Sequence, residues 1–297
     1  MTLEQLRIFV AVAERQHVTR AAEALHMVQS AVSAAIAQLE SLHGTKLFHR
    51  VGRGIELTAA GTMFLAEAKS LLARADAAQL MLTELGGLRR GTLSIQASQT
   101  IAGYWLPRHL VAFRRRYPDI DLKLRIGNTA EAAAAVHDGT AELGFVEGAV
   151  DDPTTASRLV ARDRIVLVVA PGHEWAALPS FDPRHLTQSA WVLREKGSGT
   201  RSAFEAALGG FGIDPRDLDI ALELPSNEAV RAAVEAGLGA TVISASVVGF
   251  SIAAGSLVQV PLLLPPRDYL VLLHRERYLS RAAEALLALI QEAGPAL

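Results

Sequence analysis

Four short segments place hydroxyls and amides directly after apolar runs: Ala97-Ser98-Gln99-Thr100, Gly127-Asn128-Thr129, Gly197-Ser198-Gly199-Thr200-Arg201 and Pro225-Ser226-Asn227. A helical pattern follows each, so each offers backbone N–H groups and the positive end of a helix dipole. That setting suits a small anion. Arg201 adds a planar cation fitted to bidentate contact with an oxyanion, with Arg194 and Lys196 close by in sequence. Glu147, at the end of Leu143-Gly144-Phe145-Val146, has three readings: contact with a bound molecule, neutralisation of Arg201, or a turn cap. Ser, Thr and Asn before helices also serve as ordinary caps. One such loop says little; four in one region point to a binding cleft.

Covalent and metal chemistry find no support. There is no cysteine, which excludes disulfide frameworks, thiolate metal sites and cysteine nucleophiles. The nine histidines (17, 26, 43, 49, 109, 137, 173, 185 and 274) never recur at i, i+3 or i, i+4, so no helical metal face forms. Gly197-Ser198-Gly199 follows Lys196 where a nucleophile elbow needs Gly-x-Ser-x-Gly. Gly52-Arg53-Gly54, Gly209-Gly210-Phe211-Gly212 and Gly237-Leu238-Gly239 lack the spacing of a dinucleotide fingerprint and read as turns. An enzyme and a cofactor are not expected.

A second polar set lies near the N-terminus. Leu3, Leu6, Phe9, Val10 and Ala13 space a first amphipathic helix over 2–14. Thr19 fits the N-cap of a second helix that ends near Leu25. His26-Met27-Val28 makes the turn, and a third helix runs from Gln29 to about His43 with Ala31, Val32, Ala35, Ile36 and Leu39 inward. Ser30, Ser33, Ala34, Ala37 and Gln38 are left outward; Gln29, Ser30, Ser33 and Gln38 are sized to read base edges in a major groove. Leu47-Phe48-His49-Arg50 and Ile55-Glu56-Leu57 then alternate across Val51-Gly52-Arg53-Gly54, a hairpin that presents Arg50 and Arg53 to phosphates or a narrow minor groove. The whole reads as a helix-turn-helix with a wing. Charge adds little: residues 1–90 hold 10 basic against 8 acidic side chains, and the whole chain is at -2.

The positioning elements follow. Between Thr58 and Leu85 there is no proline, and Phe64, Ala68, Leu71, Ala75, Ala78, Leu82 and Leu85 step by threes and fours, a 3.5-residue seam that fits a dimer-forming helix or, as the alternative, a helix packed on its own domain. Gly86-Gly87 ends it. Strand patterns at 92–97, 122–126, 141–146, 165–169, 190–194, 219–224, 240–244 and 269–273 alternate with helices, which predicts largely parallel sheets in two lobes. The lobes are expected over 92–161 with 266–297, and 162–265, with crossings near Ala161-Arg162 and Leu263–Pro266. The N-terminus lacks the apolar stretch of an export signal, and no uncharged run is long enough to span a bilayer. The expected location is the cytoplasm.

Phe9, Thr19-Arg20-Ala21-Ala22-Glu23-Ala24-Leu25, Gln29-Ser30-Ala31-Val32-Ser33, Ile36-x-Gln38-Leu39-Glu40, Leu47-Phe48-x-Arg50 and Leu57-Thr58-x-Ala60-Gly61 resemble the signature of LysR-type transcriptional regulators. The cleft segments, with Leu193-Arg194-Glu195-x-Gly197 and Leu143–Gly148, resemble the branch that contains regulators of sulfur assimilation and of carbon-fixation operons. The resemblance implies an α/β chain with an all-α, winged N-terminal part: a winged helix-turn-helix (1–58), a linker and dimerisation helix (59–88) and a two-lobe type 2 periplasmic-binding-protein-like sensor (89–297). It implies that Thr19, Arg20, Gln29, Ser30, Ser33, Gln38, Arg50 and Arg53 meet a palindromic operator in double-stranded DNA. Ser98, Gln99, Thr100, Asn128, Thr129, Glu147, Ser198, Gly199, Thr200, Arg201 and Asn227 would meet a small anionic effector such as sulfite, another oxyanion or an anionic metabolite. A homodimer, or the homotetramer usual in the family, is implied, with RNA polymerase a further partner and no membrane. A solute-binding protein using the same two-lobe fold is the alternative. Two departures stand out: Val28 replaces the usual Ser or Thr cap, worth ~1 kcal/mol, and Ala34-Ala35 stands where polar residues are common.

Overall fold

The computed structural model describes residues 1–51, 54–85 and 91–294, in two compact units that divide near residue 88. Arg53 and the Gly86-Gly87 break lie outside the described residues.

The first unit begins with helix α1 (Leu3–Arg15), closed by a capping box between Thr2 and Gln5. Helix α2 (Val18–Ala24) starts one residue before the expected cap. His17 is its N-cap, and Thr19 lies half-buried in the first turn. The αL residue Gln16 sets this earlier start by turning the chain sharply. Helix α3 (Gln29–His43) begins at Val28 with no side-chain cap bond, as its sequence predicts. Strands β1 (Phe48–Val51) and β2 (Gly54–Leu57) pair antiparallel, Phe48 opposite Leu57, and α4 spans Ala59–Leu85. Phe9 anchors the core, its ring 5.4 Å from Phe48 and 4.9 Å from Phe64; Leu6, Leu39, Leu47 and Ala68 close around it.

The α4 seam therefore divides. Phe64 and Ala68 pack inside their own unit, whereas Leu71 is 41% and Leu82 71% exposed. At the head of α4, Thr58 Oγ1 accepts from Gly61 N at 2.9 Å and donates to Lys46 O at 2.7 Å. A Cβ at Gly61 would stand 2.1 Å from Leu47 O, so only glycine lets the helix approach the wing this closely.

The second unit holds two five-stranded sheets. The first is built from β3 (Gly91–Ser98), β4 (Ile120–Gly127), β5 (Leu143–Glu147), β6 (Thr155–Asp163) and β12 (Arg267–His274), in the order β4-β3-β5-β12-β6. The second is built from β7 (Ile165–Val169), β8 (Ala190–Arg194), β9 (Asp219–Leu224), β10 (Ala240–Ser244) and β11 (Val258–Gln259), in the order β11-β7-β10-β8-β9. Helices α5 (Leu106–Arg116), α6 (Thr129–Asp138) and α10 (Arg281–Glu292) belong to lobe 1; α7 (Gly199–Gly210), α8 (Asn227–Glu235) and α9 (Ala245–Ala253) belong to lobe 2. A π-helical turn, Ile101–Trp105, runs into α5. Largely parallel sheets are corrected to mixed ones. β3 is parallel to β4 and β5, and β8 to β9 and β10. β12 runs antiparallel to β5 and β6, and β7 to β10 and β11. The reversed strands are those that carry the chain between lobes. The first crossing comes at Asp163-Arg164, slightly later than expected, because β6 extends the lobe 1 sheet.

Candidate functional site: a polar recognition face and a closed interlobe cleft

In the first unit, Val32 and Leu39 turn α3 into the core, and the 3.6-residue period leaves Gln29, Ser30, Ser33, Ala34 and Ala37 exposed on the other side. Arg20 and Arg50 are exposed as well. Gln38 differs from its group. It lies about 12 Å along the helix from Ser30, and its Oε1 accepts from Gln5 Nε2 at 3.1 Å, which turns it back toward α1. Gln29, Ser30 and Ser33 remain exposed on the N-terminal half of α3.

Glu40, unassigned from sequence, holds that face in place. It is buried, and its Oε1 accepts from Leu47 N at 2.9 Å and Phe48 N at 3.1 Å, while Oε2 accepts from Lys46 Nζ at 2.6 Å. Burial pushes its carboxyl up, but the Lys46 and backbone hydrogen bonds outweigh it and hold the group below the usual carboxylate value. Recognition helix and wing are thereby pinned together.

In the second unit the four loops meet, as their placement at strand ends predicts. Gln99 spans the lobes: its Nε2 donates to Pro225 O at 2.6 Å and its Oε1 accepts from Asn227 N at 3.0 Å. Asn227 Nδ2 donates to Thr100 Oγ1 at 3.1 Å. On the other flank Asn128 Nδ2 donates to Glu195 Oε1 at 3.2 Å and Ala130 N to Gly197 O at 3.2 Å. Gly199 presses the start of α7 onto lobe 1; a Cβ there would fall 2.6 Å from Thr129 Oγ1 and 2.8 Å from Glu147 O. The cleft is closed by direct contact between loops.

Arg201 is engaged within its own lobe. Its Nε donates to Glu205 Oε1 at 2.7 Å, and its Nη1 donates to Arg194 O and to Glu223. Two carboxylates within lobe 2 thus use its guanidinium, which outweighs burial and holds its pKa above the usual value. Glu147 accordingly does not neutralise it. The cation beside Glu147 is Arg267, which opens β12 and is 5% exposed. Arg267 Nε donates to Asp163 Oδ2 at 2.8 Å and Nη1 to Thr200 Oγ1 at 2.9 Å, while Nη2 stands 3.9 Å from Glu147 Oε1. Burial disfavours its charge, but Glu147 and Asp163 more than restore it. Arg194, also buried, is held by Glu195 and by Asn227 Oδ1 at 2.5 Å. Asp163 and Arg267 escape a sequence reading because they lie on the crossing strands, not in a strand-end loop. The visible signal is a lone Arg between Leu262-Leu263-Leu264-Pro265-Pro266 and an apolar strand.

Some polar groups lack partners. Ser98, at the end of β3, is 3% exposed and its Oγ has none; Arg267 Nη2 lies 2.7 Å from Asp163 Oδ2 without an aligned hydrogen bond. Ser198, the buried N-cap of α7, makes no side-chain cap bond, and Thr129 Oγ1 donates to Glu147 Oε2 at 3.2 Å. Buried polar atoms are rarely left unmatched, and Ser98 Oγ is such an exception at this end of the sheet. Among the described residues no group of three or more His, Asp or Glu side chains could hold a metal, and no helix is long and apolar enough to cross a membrane.

Residues 3–62 match the bacterial regulatory helix-turn-helix protein family of the lysR type, and residues 86–295 match the LysR substrate binding domain. A probable RuBisCO transcriptional regulator of a Nostoc species is 32% identical over 96% of this chain and 86% of its own length. The transcriptional regulator CbbR of Rhodospirillum rubrum is 32% identical over 98% of this chain and 96% of its own. A full-length OxyR point variant of Pseudomonas aeruginosa superposes with a TM-score of 0.74 at 25% identity, covering 98% of this chain and 95% of that one. The CcmR regulatory domain of Synechocystis, in complex with 2-PG, shares the fold with a TM-score of 0.63 at 24% identity, covering 70% of this chain and all of that one. Nothing in these relatives is an enzyme by name, and with the winged module and the two-lobe domain in one chain, this protein belongs to the LysR family of DNA-binding transcriptional regulators.

Proposed function

We propose that a small acidic metabolite binds between the two lobes and sets how a pair of winged modules reads a palindromic operator. The observation that carries the reading is the buried polarity where the loops meet: Ser98 Oγ without a partner, and the uncapped start of α7. A metabolite there would exchange the loop-to-loop bonds of Gln99, Asn128 and Asn227 for its own and shift the equilibrium between lobe arrangements by its differential affinity. That CcmR, of the same fold, is in complex with 2-PG supports an acidic organic ligand.

Pairing rests on α4, whose exposed Leu71 and Leu82 continue the apolar seam beyond the part used in its own unit. Two copies double the bases read and impose two-fold symmetry on the site. The protein then works in the cytoplasm, with its DNA. Thr19 and Arg20 at the start of α2, Gln29, Ser30 and Ser33 on α3, and Arg50 and Arg53 of the wing form the DNA contacts in this proposal.

The test is a footprint of the full-length protein on its own promoter, with and without a panel of acidic metabolites. A metabolite that changes the footprint should lose that effect in Asn227→Ala, while basal operator binding survives. An undiminished response in this variant overturns the cleft as the effector site. A solute-binding role would instead leave promoter DNA unshifted.

A further inference from the structure

The buried charges of the cleft do not sum in favour of an anion. Arg194 is matched by Glu195. Arg267 faces two carboxylates: Asp163, which touches it from β6, and Glu147, from β5. Asp163 is further satisfied by Ser244 Oγ at 2.9 Å. Glu147 is not; Thr129 supplies one hydrogen bond, and the Arg267 nitrogen at 3.9 Å is beyond hydrogen-bond reach. Gly199 of α7 and Tyr269, opposite Glu147 in the β12 register, bring no cation either. A carboxylate 4% exposed thus stands 3.9 Å from an Arg267 nitrogen already engaged by Asp163 at 2.7 Å, at the same end of the sheet as the unpartnered Ser98 Oγ.

We propose that Glu147 makes the cleft selective: it admits small organic acids that also carry a hydroxyl or ammonium donor, and it turns away an inorganic oxyanion with no proton to donate, such as sulfate. The inference rests on the cleft being the effector site. A donor group on the ligand satisfies the Glu147 carboxylate while its acidic group meets Arg267 and the start of α7. An inorganic oxyanion fully ionised at neutral pH brings only negative charge within a few ångströms of two buried carboxylates, where repulsion is poorly screened.

The experiment uses the full-length protein, titrated with sodium sulfate and followed by thermal shift and calorimetry, with sodium chloride holding ionic strength constant. Wild type should show no saturable binding. Glu147→Gln, which keeps the shape and removes the charge, should gain a sulfate site tighter by more than about tenfold, and adding Arg267→Lys should remove it. Glu147→Ala, which keeps the Cβ that Gly199 packs against, serves if the Gln variant folds poorly. Sulfate binding to wild type that vanishes in Arg267→Lys would locate the site correctly and refute the selectivity. No gain in either Glu147 variant also refutes it. Binding that ignores Arg267 in every protein would instead overturn the cleft as the effector site.

Discussion

Glu40→Ala tests whether one buried carboxylate holds the DNA-reading unit together. The substitution strips acceptors from Leu47 N and Phe48 N. An unsatisfied buried donor costs ~1–3 kcal/mol; with Leu47 buried and Phe48 half-buried, the two together cost about 2–4 kcal/mol. The ion pair to Lys46 adds little, since Lys46 is 77% exposed. For a unit of this size the loss lowers its melting temperature by about 10–25 °C. The chain separates its own signals, because all three tryptophans, Trp105, Trp175 and Trp191, lie in the second unit. Far-ultraviolet circular dichroism follows both units and tryptophan fluorescence follows only the second. The variant should move the first dichroism transition and leave the fluorescence transition in place. The Glu40 carboxyl is held below its unfolded value, so its contribution is complete above that value and fades as pH falls through the folded one. The gap between variant and wild type should therefore be full at pH ~7 and narrow below about pH 4. A melting change under about 2 °C, or a fluorescence transition that moves equally, would refute the reasoning.

Val28→Ser should supply the missing cap of α3 and tighten operator binding about fivefold, as ~1 kcal/mol implies; unchanged binding in a gel-shift titration counts against it. Gln29→Ala should weaken operator binding about tenfold or more and leave metabolite binding intact, whereas equal loss of both would point to misfolding. Gly199→Ala should hold the lobes apart, because the new Cβ cannot share space with Thr129 Oγ1 and Glu147 O; small-angle scattering should register a wider second unit, and an unchanged curve would mean the loops yield. Arg201→Ala should lower the melting temperature seen by tryptophan fluorescence while the effector response persists, because its partners are Glu205 and Glu223. Loss of the response with stability unchanged would return Arg201 to the binding role its sequence position suggests.

Local pattern carries most of the fold. Strands such as 165–169 and 190–194 have the bounds their apolar runs predict, and α3 turns Val32 and Leu39 inward as its period requires. β6 is illegible because Ser157, Arg158 and Arg162 interrupt any apolar or alternating pattern. Pairing with β12 makes it a strand, and that partner lies about a hundred residues away along the chain. The cleft is legible to the extent that function sits in loops at strand ends. What sequence does not rank is which arginine stands beside Glu147: Arg201 sits in the loop but is engaged by Glu205 and Glu223, while Arg267, on a crossing strand, comes within 3.9 Å of it. Glu40 is hidden for a similar reason. A charged residue near the end of a helix usually faces water, and only the returning chain at Leu47 and Phe48 gives it a buried task.

The contact of Gly61 with Leu47 O makes the head of α4 and the base of the wing a single body, with Glu40 fastening the recognition helix to the same strand. From that body α4 extends for 27 residues, about 40 Å. Such a shaft is a lever. A tilt of about 10° at its far end displaces the winged module by roughly 7 Å, the axial length of about two base pairs. A slack joint at Gly61 would absorb that tilt before it reached the DNA, so under the proposed pairing the absence of one side chain would set the gain with which a change in pairing geometry becomes a change in the bases read.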